Sequence, residues 1–280
     1  MGTGLIIIIV PGRDDRAFYK RLILKYFGGT KKGITVKDID AGPEARQAIE
    51  RVLPLYKGGG PHYLVKGSVV IRLTRGRKAL YTAIIPSEER PERRACSILM
   101  HLSGKEPDRW KQFLRGFIII DDAEERTFAG RLLSFIDSLT AMKCVHIKEK
   151  VSEGTYFTEY VLKKPAGLKL VLMVQGLAEI SFLPKHTIED FAVYLYARRN
   201  EEKARLTALY EELVKAAGVN EHGGRERKKH KKIANLIALS KCYLSTEELF
   251  SKGLTEADAR LIVEAHDGLR KLVRMIENSL

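Results

Sequence analysis

The residues of this chain best placed for chemistry are acids that follow apolar runs. Asp15 comes after Leu5–Val10 by way of Pro11-Gly12-Arg13-Asp14; Asp121, Asp122 and Glu124 follow Phe117–Ile120; Glu189 and Asp190 open a later helical pattern. Carboxylates delivered by the ends of buried strands can meet over one divalent cation, which offsets phosphate charge and lowers the pKa of bound water. Mg2+ prefers oxygen ligands and keeps several waters, so two or three carboxylates suffice. A second physical reason places acids at such positions. Negative side chains in the first turn of a helix gain about 0.3–1 kcal/mol from the macrodipole without any ligand. Both explanations stand at the level of sequence.

The elements that must position these acids follow from the apolar pattern. Leu5–Val10 is too short to cross a bilayer and suits a strand buried on both faces. It leads through Pro11-Gly12 into helical spacing over 15–27, and a buried strand turning into a helix sets its turn at the carboxyl edge of a sheet, where open α/β sheets bind ligands. A strand over 34–39 and a helix over 43–56 follow, with Gly42-Pro43 opening the latter. After the break Lys57–Pro61, residues 62–86 read as extended, with Arg75-Gly76-Arg77 as a hairpin turn. Helices are expected over 91–102 and 107–115, then a strand over 117–120 whose trailing acids suit the first turn of the next helix. Strands over 143–150, 156–163 and 168–174 precede a helix beginning at His186–Asp190, with Thr187 as N-cap. From about 197 only helices are expected: 199–217, 225–242, 245–251 and 255–278, with Gly218–Gly224 as a joint. The reading is an α/β domain over 1–197, with an insertion at about 60–115, and a helical region over 198–280.

Composition narrows the function classes. The 280 residues carry a net charge of +14 and a pI near 9.6, which points to nucleic acid or another polyanion. The excess is spread along the chain, net +10 over 1–197 and +4 over 198–280, so it is not a basic tail. No apolar stretch approaches the roughly 20 residues of a membrane span, and no leader pattern opens the chain, so no membrane partner and a cytoplasmic location are expected. Cys96, Cys144 and Cys242 are odd in number and lack CxxC pairing, which argues for reduced buried thiols over a structural zinc site. Three glutamines and four asparagines among many Lys, Arg and Glu fit a thermophile.

At the acidic turns the chain resembles the Toprim family, shared by topoisomerases, primases and the overcoming-lysogenization-defect nucleases. That family carries an apolar strand ending in E-G-x-x-D and a later strand ending in D-x-D. Val10-Pro11-Gly12-Arg13-Asp14-Asp15 is similar to the first motif, with Gly12 and Asp15 in register, and Ile120-Asp121-Asp122-Ala123-Glu124-Glu125 to the second, with Asp122 and Glu124 as its pair. His186–Phe191 resembles a later acidic motif of small archaeal Toprim-like proteins. The resemblance covers about residues 1–197. It implies a Toprim-like (Rossmann-like) α/β sheet, Mg2+ held by Asp15, Asp122 and Glu124 with Asp121, Glu189 or Asp190, and nuclease or phosphotransferase chemistry on DNA or RNA. Two departures stand out. Pro11 occupies the place of the family's glutamate and can neither bind metal nor carry a proton, and Glu124 replaces an aspartate. A catalytically degenerate protein that binds nucleic acid or protein is therefore the alternative.

The basic candidates are Arg13 at the first turn, Arg72, Arg75 and Arg77 on the hairpin, and the run Arg225, Arg227, Lys228, Lys229, Lys231 and Lys232. Each phosphate contact would add salt-dependent affinity. Hairpin-edge charge also keeps sheets from pairing, and a basic helix end is also simply solvated. Gly28–Gly33 lacks the spacing of a phosphate loop and follows a helix, and Gly58-Gly59-Gly60 lacks the strand–GxGxxG–helix context of a dinucleotide site.

Overall fold

A computed structural model describes residues 3–28, 33–38, 67–87, 90–104, 110–123, 127–180, 186–196 and 245–280, together with the single residues 205, 208 and 235. The described chain is an α/β fold built on one eight-stranded mixed sheet of order β2-β3-β4-β1-β5-β8-β7-β6. The strands are β1 (Thr3–Val10), β2 (Ile34–Asp38), β3 (Val69–Arg75), β4 (Lys78–Pro86), β5 (Leu114–Asp122), β6 (His146–Glu153), β7 (Phe157–Lys164) and β8 (Lys169–Gln175). Its four central strands, β4, β1, β5 and β8, run parallel, and antiparallel pairs flank them on both sides.

The continuous apolar run of β1 has a direct cause in this arrangement. Ile6, Ile8 and Val10 face one helical layer, and Leu5, Ile7 and Ile9 the other. Because strand side chains alternate, a central strand covered on both sides can spare no polar position. The first layer holds α1 (Arg13–Gly28), α4 (Glu189–Tyr196), α5 (Thr246–Glu248) with the π-helical turn Leu249–Gly253, α6 (Glu256–Ala265) and α7 (Asp267–Ser279). The second holds α2 (Pro91–Ser103) and α3 (Phe128–Ala141). On α7, the buried Leu269, Leu272, Val273 and Ile276 form one helical stripe toward the sheet layer. Leu272 and Ile276 belong to the same core as Phe18 and Leu22 of α1, so the C-terminal helices share the core of the α/β layer.

The hairpin turn falls at Gly76-Arg77, as the Arg-Gly-Arg signal indicates, and β3 and β4 lie inside the central sheet, with β4 beside β1. Several boundaries depart from the periodicity. The strand expected over 117–120 runs from Leu114 to Asp122, because Leu114 and Gly116 pair with β1, and it truncates the helix expected over 107–115. Asp121 and Asp122 are therefore strand residues. The next helix starts at Phe128, with the Thr127 hydroxyl accepting from the Gly130 amide, and has no acid in its first turn. The helix expected over 255–278 is two helices, broken at His266, whose ψ of 109° is extended and whose ring caps α7. Of the helices expected over 199–217 and 225–242 only Arg205, Ala208 and Asn235 are described, each helical; the helix expected over 43–56, the joint Gly218–Gly224 and the boundary at 197/198 lie outside the described residues. Cys96 and Cys144 are buried free thiols. No helix among the described residues is long and apolar enough to cross a membrane.

Candidate functional site

The carboxyl ends of the parallel strands bring two of the sequence-predicted acids together. Asp15 sits in the first turn of α1, after Pro11 and Gly12 have turned the chain off β1. A Cβ on Gly12 would lie 3.2 Å from the Asp15 carboxylate, so glycine gives that carboxylate its room. Asp122 ends β5, in register with Gln175 at the end of β8. The Gln175 Nε2 donates to Asp15 Oδ1 at 2.6 Å and to Asp122 Oδ1 at 2.6 Å. The Tyr19 hydroxyl, one turn along α1, donates to Gln175 Oε1 at 3.1 Å and fixes the orientation of the amide. The two carboxylates are thus within twice a hydrogen-bond length of each other.

Burial makes this position costly for a charged carboxylate. Burial pushes Asp15 up to about 6 against the Gln175 hydrogen bond, with Glu189 and Asp14 adding repulsion. Burial likewise drives the Tyr19 hydroxyl well above its ordinary value, and the Asp15 and Asp122 charges add to the effect. Two acids meeting around a neutral amide form a site that a divalent cation would relieve, and Mg2+ sites commonly use one or two carboxylates plus water. Asp15 and Asp122 fit that donor set. Among the described residues no group of three or more His, Cys, Asp or Glu side chains gathers as a metal site. Glu124 lies outside the described residues.

Asp121 goes elsewhere. Its carboxylate pairs with Arg131 of α3 on the opposite face of the sheet, where Arg131 Nη2 also bonds Glu92 Oε1 at 3.0 Å and the guanidinium lies 4.4 Å from the Phe135 ring. Glu92, at the start of α2, is 3 % exposed. Removing one member of such a cluster leaves an uncompensated buried charge, so Asp121 has a structural task.

Glu189 and Asp190 open α4 at the same strand edge as Asp15. Glu189 is buried and its Oε2 accepts from the Thr187 hydroxyl at 2.6 Å. Asp190 is fully buried; its Oδ2 accepts from the Leu177 amide at 2.9 Å and lies 2.7 Å from His186 Nδ1. Burial pushes Asp190 up to about 6 against both bonds. His186 itself is laid along the strand edge, its carbonyl accepting from the Ala123 amide at 3.1 Å. Gly176, with φ of 106°, makes the close approach possible, since a Cβ there would lie 2.6 Å from His186 Cβ.

Gln175 and His186 are the site residues that periodicity does not reveal. Gln175 does carry a signal, because it is one of three glutamines and ends the apolar run Leu170–Val174. His186 carries a weaker one, since it stands four residues before Asp190, and the fold supplies the burial of that carboxylate.

The basic candidates divide. Arg13 is exposed at the acidic edge, where the start of α2 also presents the exposed Arg90 and Arg93. Arg75 and Arg77 are exposed at the opposite end of the sheet, because β4 starts beside Thr3 and ends beside Val10. At about 3.3 Å per residue the two ends are roughly 20 Å apart. Arg72 is half-buried in mid-strand opposite Tyr81. The run from Arg225 to Lys232 lies outside the described residues.

No family model matches the chain, and no curated protein matches it. Among solved structures it is similar to the hypothetical protein PH0156 from Pyrococcus horikoshii OT3, with a TM-score of 0.59 and 17% sequence identity over 98% of this chain and 100% of that one. That likeness shows the α/β fold.

Proposed function

We propose that this chain is a Toprim-like nucleic-acid-binding protein whose Asp15–Asp122 pair holds a divalent cation, Mg2+ in the first place, and acts on phosphodiester bonds of DNA or RNA. One observation carries the reading: acids from two separate strand ends share the Gln175 amide at the carboxyl edge of an open α/β sheet, where such folds bind ligands. The cation would neutralise phosphate charge and activate a water. Gln175 and Tyr19 keep the two carboxylates in place, and Gly12 leaves Asp15 its space. Arg13, Arg90 and Arg93 form the basic rim that would draw a phosphate backbone to this edge. The helical C-terminal region belongs to the same proposal, as an accessory to the α/β layer on whose core its described helices pack.

Calorimetric titration of the full chain with Mn2+ and Mg2+ tests it, with Asp122→Ala as comparison. Heat released by the native chain and lost in the variant supports the site; equal, negligible heats remove it. The second reading, a degenerate module that only binds nucleic acid, is favoured by Pro11, which follows β1 at the place where the family carries glutamate. Mobility shifts with single- and double-stranded DNA and RNA across a salt series, combined with null metal heats, would select it. Absence of binding at low salt removes both, because phosphate contacts are strongest there.

A further inference from the structure

We infer that His186, oriented by Asp190, is the general base of this site. The inference rests on the metal-dependent phosphodiester reading above and names one more residue for that chemistry. A general base needs a lone pair facing the reactant and a partner that fixes its tautomer. Asp190 is such a partner. It is 0 % exposed, anchored by the Leu177 amide, and 2.7 Å from Nδ1, so the proton belongs on Nδ1 and the lone pair on Nε2. The second Asp190 oxygen, Oδ1, is buried with no hydrogen-bond partner among the described residues, so Oδ2 carries both contacts, the Leu177 amide and the imidazole. The imidazole is not sealed in: the His186 side chain is 18% exposed, resting against the Phe128 ring at 4.8 Å.

Position completes the case. The His186 backbone bonds the residue after Asp122, and its Cβ packs against the residue after Gln175. The His–Asp couple therefore flanks the ends of β5 and β8, the same strand ends that carry Asp122 and Gln175. A histidine kept for packing alone would need no buried carboxylate, whose desolvation is costly. In the step assigned here, Nε2 takes a proton from water as the water oxygen bonds to phosphorus. The bond from phosphorus to the departing sugar oxygen breaks with its electron pair, and that oxygen takes a proton from the imidazolium. The products are a phosphomonoester and an alcohol, and the imidazole is returned neutral.

The test uses the full chain with Mn2+, a single-stranded DNA, a single-stranded RNA and bis(p-nitrophenyl) phosphate. His186→Gln keeps a donor for Asp190, and His186→Ala opens space for added imidazole. The expected result is a kcat reduced by roughly 10²–10⁴ in both variants, with Mn2+ heats unchanged and activity of His186→Ala restored by imidazole. Nitrogen-15 NMR of labelled imidazoles, which needs no turnover, should show His186 as the Nδ1–H tautomer. Unchanged kcat in His186→Gln, a loss of rate that follows loss of Mn2+ binding, a failure of imidazole rescue, or an Nε2–H tautomer each overturns the role of His186. The metal-site reading survives those outcomes. A native chain that neither binds Mn2+ nor turns over any of the three substrates removes that reading instead, and the His186 role with it.

Discussion

Asp121 and Asp122, neighbours in sequence at the end of β5, face opposite sides of the sheet. Asp122 shares the Gln175 amide with Asp15 under α1, and Asp121 pairs with Arg131 under α3. The two-residue period of a strand imposes this, and it separates a site acid from a structural one.

The two acids should respond differently to substitution. Arg131→Met leaves Asp121 and Glu92 as buried charges without their partner, and should destabilise the fold by about 3–5 kcal/mol. Asp122→Ala should cost far less stability and abolish Mn2+ binding. Urea unfolding and metal titration of both variants check this; equal destabilisation would mean that Asp122 is also structural.

Asp15 should weaken the protein it serves. Its folded value, about 6, lies above the ordinary 3.8, so the folded state holds the proton more tightly. The stabilising contribution is full below about pH 3.8 and lost as pH rises through 6, after which a buried charge remains. Asp15→Asn should therefore be more stable than the native chain at pH 7.5, by on the order of 2–3 kcal/mol, with the gap closing toward pH 4. Saturating Mn2+ should stabilise the native chain alone. Melting temperatures across pH, with and without Mn2+, decide it.

His266 should make the fold acid-labile. The ring is fully buried: Nε2–H donates to the Val174 carbonyl at 3.0 Å, and Nδ1 accepts from the Leu269 amide at 3.1 Å. Burial pushes the imidazole down to about 3 from 6.5. With the folded value depressed, the unfolded chain binds the proton first. Stability is therefore full above pH 6.5 and falls steadily as pH drops toward 3. His266→Asn should lose about 1–3 kcal/mol at pH 7 and show a shallower decline over that window. Denaturant titrations at pH 7, 5 and 4 measure both slopes, and parallel slopes would contradict the assignment.

The two ends of the sheet should contribute unequally to nucleic-acid binding. Replacing Arg13, Arg90 and Arg93 together by Gln should weaken binding to RNA or DNA and lower the salt slope by roughly two to three. Replacing Arg75 and Arg77 should leave the slope within about one of native. Fluorescence anisotropy over a salt series reads this directly, and the reverse ranking would move the binding face to the hairpin.

Elements whose local physics is self-sufficient are legible in the amino-acid order alone. The apolar run of β1 suits a strand covered on both faces, and Arg75-Gly76-Arg77 reads as a turn between two extended runs, and both are found so. The amino-acid order also marked Asp15 and the Asp121-Asp122 pair as strand-end acids, since polar residues terminate buried runs. The boundaries that failed are those decided by partners. β5 extends to Leu114 because β1 offers it hydrogen bonds, and the last helix breaks at His266 because Val174 of β8 holds the ring. The same holds for the site. Which face Asp122 shares, which amide bridges it to Asp15 across 107 residues of chain, and which carboxylate orients His186 depend on parallel register and on Gly176. Apart from His186 and Asp190, which stand four residues apart, those are contacts between residues distant in the chain, and no local preference encodes them.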